Sequence, residues 1–330
     1  IFANPNNNVY GFNLNGSSIG GTAVLIPKAG KFIPSTLRGE SVNTLFALSD
    51  SELKSYNSNG ISNSRILNSG TVSAPSLVIQ NRGAVYLGFN TGVINSYDQN
   101  LTEVRVDSIQ GSVIAFSQNV TDSFSVINGN FKYLVTGNIS TATSQDILTT
   151  DLNNRLILNG NQIKISYNYS AINSSPVLAD LNRDGRQEII FVADSTIFAI
   201  NSNGVLVDNF PINFDRNISS GISVADINDD GISELLFVTS DGNLYAYGVN
   251  GKILNGFPLL VSSKTISTPA ILNADGYFGL AVLGNDGFLY AFRTNHQYKP
   301  ENVHWKNYLG NESLSNHNYT GNAHSPGFTS

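Results

Sequence analysis

Two short acidic segments hold the residues of this chain that are best suited to bind a metal ion. Both follow the pattern D-x-N-x-D-G-x-x-E, the first loop over residues 180–188 and the second loop over residues 226–234. Each lies between two apolar stretches, at an equivalent place in the chain. The oxygen donors are positions 1, 3, 5, 7 (through its backbone carbonyl) and 9, which are Asp180, Asn182, Asp184, Arg186 and Glu188 in the first loop and Asp226, Asn228, Asp230, Ile232 and Glu234 in the second.

These residue types at this spacing predict calcium coordination. Ca²⁺ takes six to eight hard oxygen ligands at about 2.3–2.6 Å in a pliable cage. Side chains at positions 1, 3 and 5 of a curled loop point inward, and glycine at position 6 permits the sharp turn. Three carboxylates within nine residues repel one another unless a cation lies between them. We therefore predict one Ca²⁺ ion in each loop, two in all.

A metal-free Asp/Asn/Gly turn is the alternative, since such turns are common in β proteins. The occurrence of the pattern twice at equivalent places favours the metal. The loops are not EF-hands, because position 12, which is a bidentate Glu in EF-hands, is Phe191 in one loop and Phe237 in the other. A third segment, residues 271–279, lacks the acids at positions 1 and 9, so we expect no ion there.

The elements that would position the loops come from a repeat that spans the chain. Its unit is an apolar strand, a short polar turn, a second apolar strand with an aromatic residue, and usually Asn-Gly. Clear copies are IIFVADSTIFAINSNG and LLFVTSDGNLYAYGVNG, which follow the first and second loops. Seven copies, roughly 46 residues apart on average, end at Gly16, Gly60, Asn100, Gly160, Gly204, Gly251 and Asn295.

A period of about 40–50 residues is typical of the four-stranded blade of a β-propeller. We predict an all-β fold, a seven-bladed β-propeller of four-stranded antiparallel blades that forms a single domain over residues 1–330. The blades with the acidic loops span about residues 174–217 and 218–262. Between residues 117 and 150 the copies are more widely spaced, which predicts an insertion or a degenerate strand. An open β-solenoid or two β-sandwiches are the alternatives.

The two ends of the chain suggest how the ring closes. The chain starts inside a repeat, so the first blade lacks its leading strand, and His-Ser-Pro-Gly-Phe at residues 324–328 is similar to Ser-Ser-Pro-Val-Leu at residues 174–178. We expect the first blade to be shared between about residues 1–20 and 323–330. Pairing of the N- and C-terminal strands would then remove two open sheet edges. A disordered C-terminal tail is the alternative.

The two loop-bearing blades resemble FG-GAP/VCBS-type propeller repeats, which occur in integrin α-subunit heads and in many secreted bacterial proteins. The resemblance rests on the loop motif and covers about residues 174–250, whereas the remainder matches only through the repeated unit. It implies calcium at the ten positions named above. Two departures from the family are that blades 1–4 lack the acidic loop and that the Gly-Ala-Pro element appears only as Ser-Ser-Pro or Ser-Thr-Pro.

Composition narrows the classes of partner and compartment. The net charge is −6, which argues against nucleic acid or an anionic membrane as the main partner. No apolar run approaches the roughly 18–20 residues that span a bilayer, so no direct membrane insertion is expected. Cysteine is absent, which excludes a disulfide framework. The acidic, Asn/Ser/Thr-rich chain favours an extracellular or cell-surface protein, and the absence of methionine predicts a processed chain without its signal peptide.

No residue pattern typical of catalysis appears. The histidines at positions 296, 304, 317 and 324 match no metal-ligand spacing, and no G-x-S-x-G or H-E-x-x-H motif is present. We therefore favour a non-enzymatic role: an extracellular calcium-binding propeller that acts as an adhesion, ligand-binding or protein-interaction scaffold for a protein or glycan. The alternatives are a polysaccharide lyase or glycosidase and a structural subunit of a cell-surface assembly.

Overall fold

The computed structural model describes residues 131–144 and 146–305 continuously, and parts of the chain before them. Those parts are residues 2–3, 8–10, 24–25, 31–35, 44–48, 52–56, 62–69, 77–79, 84–98, 100–108, 115–118 and 124–127. The chain divides into two compact units, an N-terminal one up to residue 130 and a second one that begins at residue 131.

The N-terminal unit consists of antiparallel sheets whose strands follow chain order. Three strands form the first sheet, four the second, four the third, and a separate hairpin forms the fourth. The strands are β1 (Phe2–Ala3), β2 (Asn8–Tyr10), β3 (Val24–Leu25), β4 (Lys31–Ser35), β5 (Thr44–Leu48), β6 (Glu52–Tyr56), β7 (Ser62–Ile66), β8 (Leu77–Ile79), β9 (Ala84–Gly88), β10 (Val93–Tyr97), β11 (Glu103–Ser108), β12 (Ala115–Gln118) and β13 (Phe124–Ile127).

The second unit continues the same pattern and contains both acidic loops. Its strands are β14 (Phe131–Gly137), β15 (Asp146–Asp151), β16 (Leu156–Leu158), β17 (Asn161–Gln162), β18 (Val177–Ala179), β19 (Glu188–Ala193), β20 (Thr196–Ile200), β21 (Ile212–Asn213), β22 (Ser223–Ala225), β23 (Glu234–Val238), β24 (Asn243–Gly248), β25 (Leu259–Leu260), β26 (Ala270–Ala274), β27 (Tyr277–Leu283), β28 (Leu289–Gln297) and β29 (Val303–Trp305). A 3₁₀ turn, Pro300–Asn302, precedes β29. The described residues include no helix long and apolar enough to cross a membrane.

Sheet topology confirms the all-β, antiparallel prediction. Strands β14–β17 and β18–β21 form two four-stranded meanders, β22–β25 form a third with β29 added beside β22, and β26–β28 form a three-stranded sheet. All seven copies of the repeated unit fold as antiparallel hairpins, namely β1–β2, β5–β6, β9–β10, β15–β16, β19–β20, β23–β24 and β27–β28.

The number of blades and the closure of the ring stay predictions. Residues 323–330, which were expected to complete the first blade, lie outside the described residues. Sheets of three, two and five strands occur beside the four-stranded ones among the described strands. The hairpin β12–β13 falls in the widely spaced part of the repeat and precedes β14, so the extra residues form an added hairpin ahead of the next four-stranded sheet.

Both faces of the loop-bearing sheets are buried against apolar side chains. In β23, Leu235 and Phe237 belong to a core shared with the two preceding sheets, whereas Leu236 and Val238 belong to a core shared with β26–β28. This division follows from the alternation of side chains along a strand. A sheet that is buried on both faces holds the loops at its ends on a rigid base.

Gly137, at the end of β14, lets the preceding sheet approach the first loop. Asn138 N–H donates to Gln187 Oε1 at 2.8 Å, and Gln187 N–H donates to the Asn138 carbonyl at 2.7 Å. A Cβ on Gly137 would overlap Gln187 Oε1 and lie 2.7 Å from Leu178 Cδ1. There is consequently no room for a side chain at this position.

We predict that Gly137→Ala lowers the free energy of unfolding by about 1–3 kcal/mol, because the added methyl group overpacks this contact. Urea denaturation followed by tryptophan fluorescence measures the change. Gly160→Asn is the control, since nothing lies within 4 Å of a Cβ there and Asn tolerates the positive φ of 83°. Equal stability of Gly137→Ala and the unmodified protein would contradict the close packing of β14 on the first loop.

Candidate metal centre

The two acidic loops connect paired strands in the same register. The first loop joins β18 to β19, and Ala179 pairs with Glu188 at its base. The second loop joins β22 to β23, and Ala225 pairs with Glu234 in the same register. Position 9 of each loop therefore begins a strand directly opposite the residue before position 1, so that both ends of the loop are held together.

The backbone curls in the same way in both loops. Position 4 has a positive φ in each, 61° at Arg183 and 60° at Asp229, and so does the glycine at position 6, with 82° at Gly185 and 84° at Gly231. Glycine adopts this conformation at no steric cost. In this conformation the N–H groups of positions 5 and 6 point toward the interior of the loop.

The acid at position 1 accepts those inward N–H groups. In the first loop Asp180 accepts from Asp184 N–H at 3.1 Å and from Gly185 N–H at 2.9 Å. In the second loop Asp226 accepts from Asp230 N–H at 3.2 Å and from Gly231 N–H at 2.8 Å. The side chain at position 1 thus faces the centre of each loop.

The glutamate at position 9 is buried beside other carboxylates. Glu188 is 2% exposed, and its Oε2 accepts the Leu181 N–H at 2.8 Å. Burial, together with the charges of Asp180 and Asp184, raises the pKa of Glu188 to about 7 against the opposing effect of that hydrogen bond. The first loop consequently holds more negative charge than its own N–H groups compensate.

The second loop repeats this electrostatic arrangement. Glu234 is also 2% exposed and accepts the Ile227 N–H at 3.0 Å. Burial raises the pKa of Glu234 to about 8, with Asp230 and Asp226 acting in the same direction. A cation would relieve the same repulsion in both loops.

Positions 3, 5 and 7 are bound within the loops. Asn182 Nδ2 donates to Glu188 Oε1 at 3.1 Å, whereas Asp184 turns toward the Arg186 guanidinium, 2.7 Å away. In the second loop Asn228 Nδ2 and Ile232 N–H both donate to Asp230, at 2.9 Å and 2.8 Å. Position 5 is thus occupied by local donors in both loops.

The structure places the predicted donors in two neighbouring loops, but their carboxylate oxygen atoms do not converge on one point in either loop. Among the described residues, no three His, Asp or Glu side chains are arranged so that they could hold one ion. The carboxylates are directed at backbone N–H groups instead. The set of donors still fits a hard divalent cation, because it consists only of carboxylate, amide and backbone oxygens.

Several residues contact the loops although no sequence motif pointed to them. Arg183 of the first loop donates to the Gly231 carbonyl of the second at 2.8 Å. Asp229 forms an ion pair with Lys299 and accepts from Asn302 Nδ2 at 3.1 Å. His304 is half-buried, and burial lowers its pKa while the charges of Asp180 and Asp226 act to raise it. No local pattern could have identified these contacts, because Lys299 is 70 residues from its partner.

The third segment, residues 271–279, folds differently. Strands β26 and β27 are joined there by Asp275 and Gly276 alone, with φ values of 52° and 85°. Positive φ at both central residues is typical of a tight type I′ hairpin turn. The open nine-residue loop of the two preceding sheets is therefore replaced by a two-residue turn.

Comparisons with known proteins establish no family for this chain. No protein-family model and no curated protein matches it, so the FG-GAP/VCBS assignment stays a prediction.

Several solved structures are similar at low sequence identity. The crystal structure of BBS1N in complex with ARL6DN is 13% identical over 84% of each chain, with a TM-score of 0.49. BamB from Moraxella catarrhalis is 16% identical over 85% of this chain and 76% of its own, with a TM-score of 0.35. The WD40 β-propeller domain of Doa1 is 14% identical over 81% and 98%, with a TM-score of 0.43. TM-scores below 0.5 are too low to support a conclusion about function or about the number of blades.

Proposed function

We propose that this protein is an extracellular β-propeller that binds two Ca²⁺ ions and acts as a scaffold for interaction with a protein partner. The observation that carries the proposal is the pair of loops in identical register, each with a buried glutamate beside two aspartates. A solvated turn has no need to bury a carboxylate among others. A calcium loop does, since the ion supplies the missing positive charge.

The arrangement of sheets supports the propeller. Four successive sheets of the second unit follow chain order, and apolar clusters join each loop-bearing sheet to its neighbours on both faces. Radially stacked antiparallel meanders bury both faces of each blade in this way. Scaffolds of this kind present their strand connections as binding surfaces on either side of the ring.

The proposed extracellular or cell-surface location sets the affinity that is expected of the two sites. Calcium sites of extracellular modules bind at about 0.1–1 mM. At about 1 mM calcium, each site would then stabilise the fold by about 0.4–1.4 kcal/mol. Bound Ca²⁺ would neutralise the loop carboxylates, and Asp180, Asp226 and the two buried glutamates would hold it against the strand ends. The loops would stiffen, while the fold itself would persist without the ions.

We expect 1 mM CaCl₂ to raise the Tm by about 1–4 °C relative to EDTA. This shift is the stabilisation by two sites divided by an unfolding entropy of about 2.1 cal/mol/K per residue. Differential scanning calorimetry measures the shift. Asp180→Asn and Asp226→Asn should each remove part of it, Asp226→Asn the larger part, and the double variant nearly all. Asp275→Asn, in the tight turn between β26 and β27, is the matched control and should keep the full shift. An unchanged Tm, together with no calcium heat in titration calorimetry, would contradict the metal sites.

Without divalent cations, stability should fall as the pH rises from about 6.5 to 8.5. Both glutamates have a folded pKa above their ordinary value of 4.5, about 7 for Glu188 and about 8 for Glu234. The stability that comes from their neutral forms is therefore complete below about pH 4.5 and lost as the pH rises through 7–8. The lowered pKa of His304 acts at lower pH, outside this window.

Urea midpoints in EDTA across this pH range test the dependence. The Glu188→Gln/Glu234→Gln double variant should have a nearly flat profile, because neither side chain can ionise. Calcium should also flatten the profile of the unmodified protein, since it stabilises the ionised loops. The same slope in the unmodified protein and the double variant would show that other groups cause the pH dependence.

A further inference from the structure

Strand direction places four connections of the loop-bearing sheets at one end. Successive strands of an antiparallel meander reverse direction, so the connections alternate between the two ends of the sheet. The first loop therefore lies at the same end as the connection from β20 to β21, and the second loop at the same end as the connection from β24 to β25. The turns β19–β20 and β23–β24 lie at the opposite end.

A cavity of about 440 Å³ opens between these four connections. We call it the interloop cleft. Val205, Leu206, Val207 and Val249 provide apolar surface in its lining, and Glu188 and Asp208 provide its two carboxylates. The volume lies within the range of about 300–1,000 Å³ that is usual for small-ligand pockets.

The charged side chains that line the interloop cleft are all acidic. Its lining includes no Lys, Arg or His. Two basic side chains of the first loop are already engaged, since Arg183 donates to the Gly231 carbonyl and Arg186 pairs with Asp184. Lys252 is exposed and lies outside the lining. The cleft therefore combines apolar surface with negative charge that no lining residue balances.

We propose that the interloop cleft seats a Lys or Arg side chain of a partner protein. The aliphatic stem of such a side chain packs on valine and leucine while its charged head stays with polar groups. Asp208, which is exposed, provides that negative end at the surface of the cleft, and Glu188 adds negative charge from its buried position. An acidic side chain would be repelled, and a purely apolar one would leave the two carboxylates without a counter-charge.

This inference rests on the proposed role as a protein-interaction scaffold and does not require the ions. Calcium changes the strength of binding, because Glu188 is shared between the first loop and the cleft. A Ca²⁺ ion in the first loop draws on the same carboxylate and weakens the hold on the basic head. Asp208 lies outside both loops and keeps its charge when calcium is present.

Titration of the ¹⁵N-labelled protein with N-acetyl-lysine amide and N-acetyl-arginine amide, followed by TROSY spectra at pH 8 in EDTA, tests the proposal. Shifts should concentrate on residues 205–209 and 249–250. N-acetyl-norleucine amide, which keeps the stem and lacks the charge, should bind at least threefold more weakly, and N-acetyl-glutamate amide should not bind. Equal shifts from the lysine and norleucine probes, or lysine shifts elsewhere, would overturn the proposal.

Variants separate the cleft from general surface charge. Val249→Phe fills the cavity and should abolish the lysine shifts, and Asp208→Asn, at an exposed position, should weaken binding several-fold without affecting the fold. Asp215→Asn is the matched control, because its side chain is 85% exposed and follows β21 at the opposite end of the sheet. Lysine binding that is unchanged in Asp208→Asn and Val249→Phe would contradict the assignment.

A parallel titration with CaCl₂ distinguishes the two proposals. Shifts in residues 180–188 and 226–234 would report the ions, and lysine binding should weaken several-fold once calcium is saturating. Lysine binding without any calcium shifts would contradict the metal sites and leave the cleft intact. Calcium shifts without lysine binding would contradict the cleft alone.

Discussion

Repulsion among carboxylates that strand pairing holds together is the constraint on which the site depends. Because Ala179 pairs with Glu188 and Ala225 with Glu234, neither glutamate can leave its loop without breaking a ladder. Each stays buried near two aspartates, and its pKa rises accordingly. Holding these carboxylates together destabilises the fold. Such an arrangement is expected where a bound cation compensates the negative charge.

The same strands explain what resists this repulsion. Phe191 and Phe237, at the position where an EF-hand has its last ligand, are instead core residues. Phe191 stacks on Phe198 with ring centroids 5.0 Å apart, and Phe237 stacks on Tyr245 at 5.5 Å. Both pairs are cross-strand neighbours at equivalent places in adjacent sheets. Phe191 and Phe237 therefore exclude an EF-hand at these loops. At the same time they pack strands β19 and β23, which begin with the position-9 glutamates, into the core.

Local patterns made the hairpins and loops predictable. Alternation of apolar residues with Asp-Gly or Asn-Gly turns specifies a hairpin within about 16 residues, and the loop motif specifies its own curl. Contacts between distant segments carry no such signal. The addition of β29 to β22 and the bond from Arg183 to Gly231 depend on how sheets meet in space. The hairpin β12–β13 was visible only as wider spacing of the repeat.

The two loops share a conformation but differ in charge, and the difference sets the strength of their fields. The first loop has two Asp and one Glu against two Arg, a net charge of −1, whereas the second has three Asp and one Glu, a net charge of −4. Lys299 offsets part of this from 70 residues away, through Asp229. Attraction for a divalent cation should therefore be greater at the second loop, where the segment from Pro300 to Trp305 also packs.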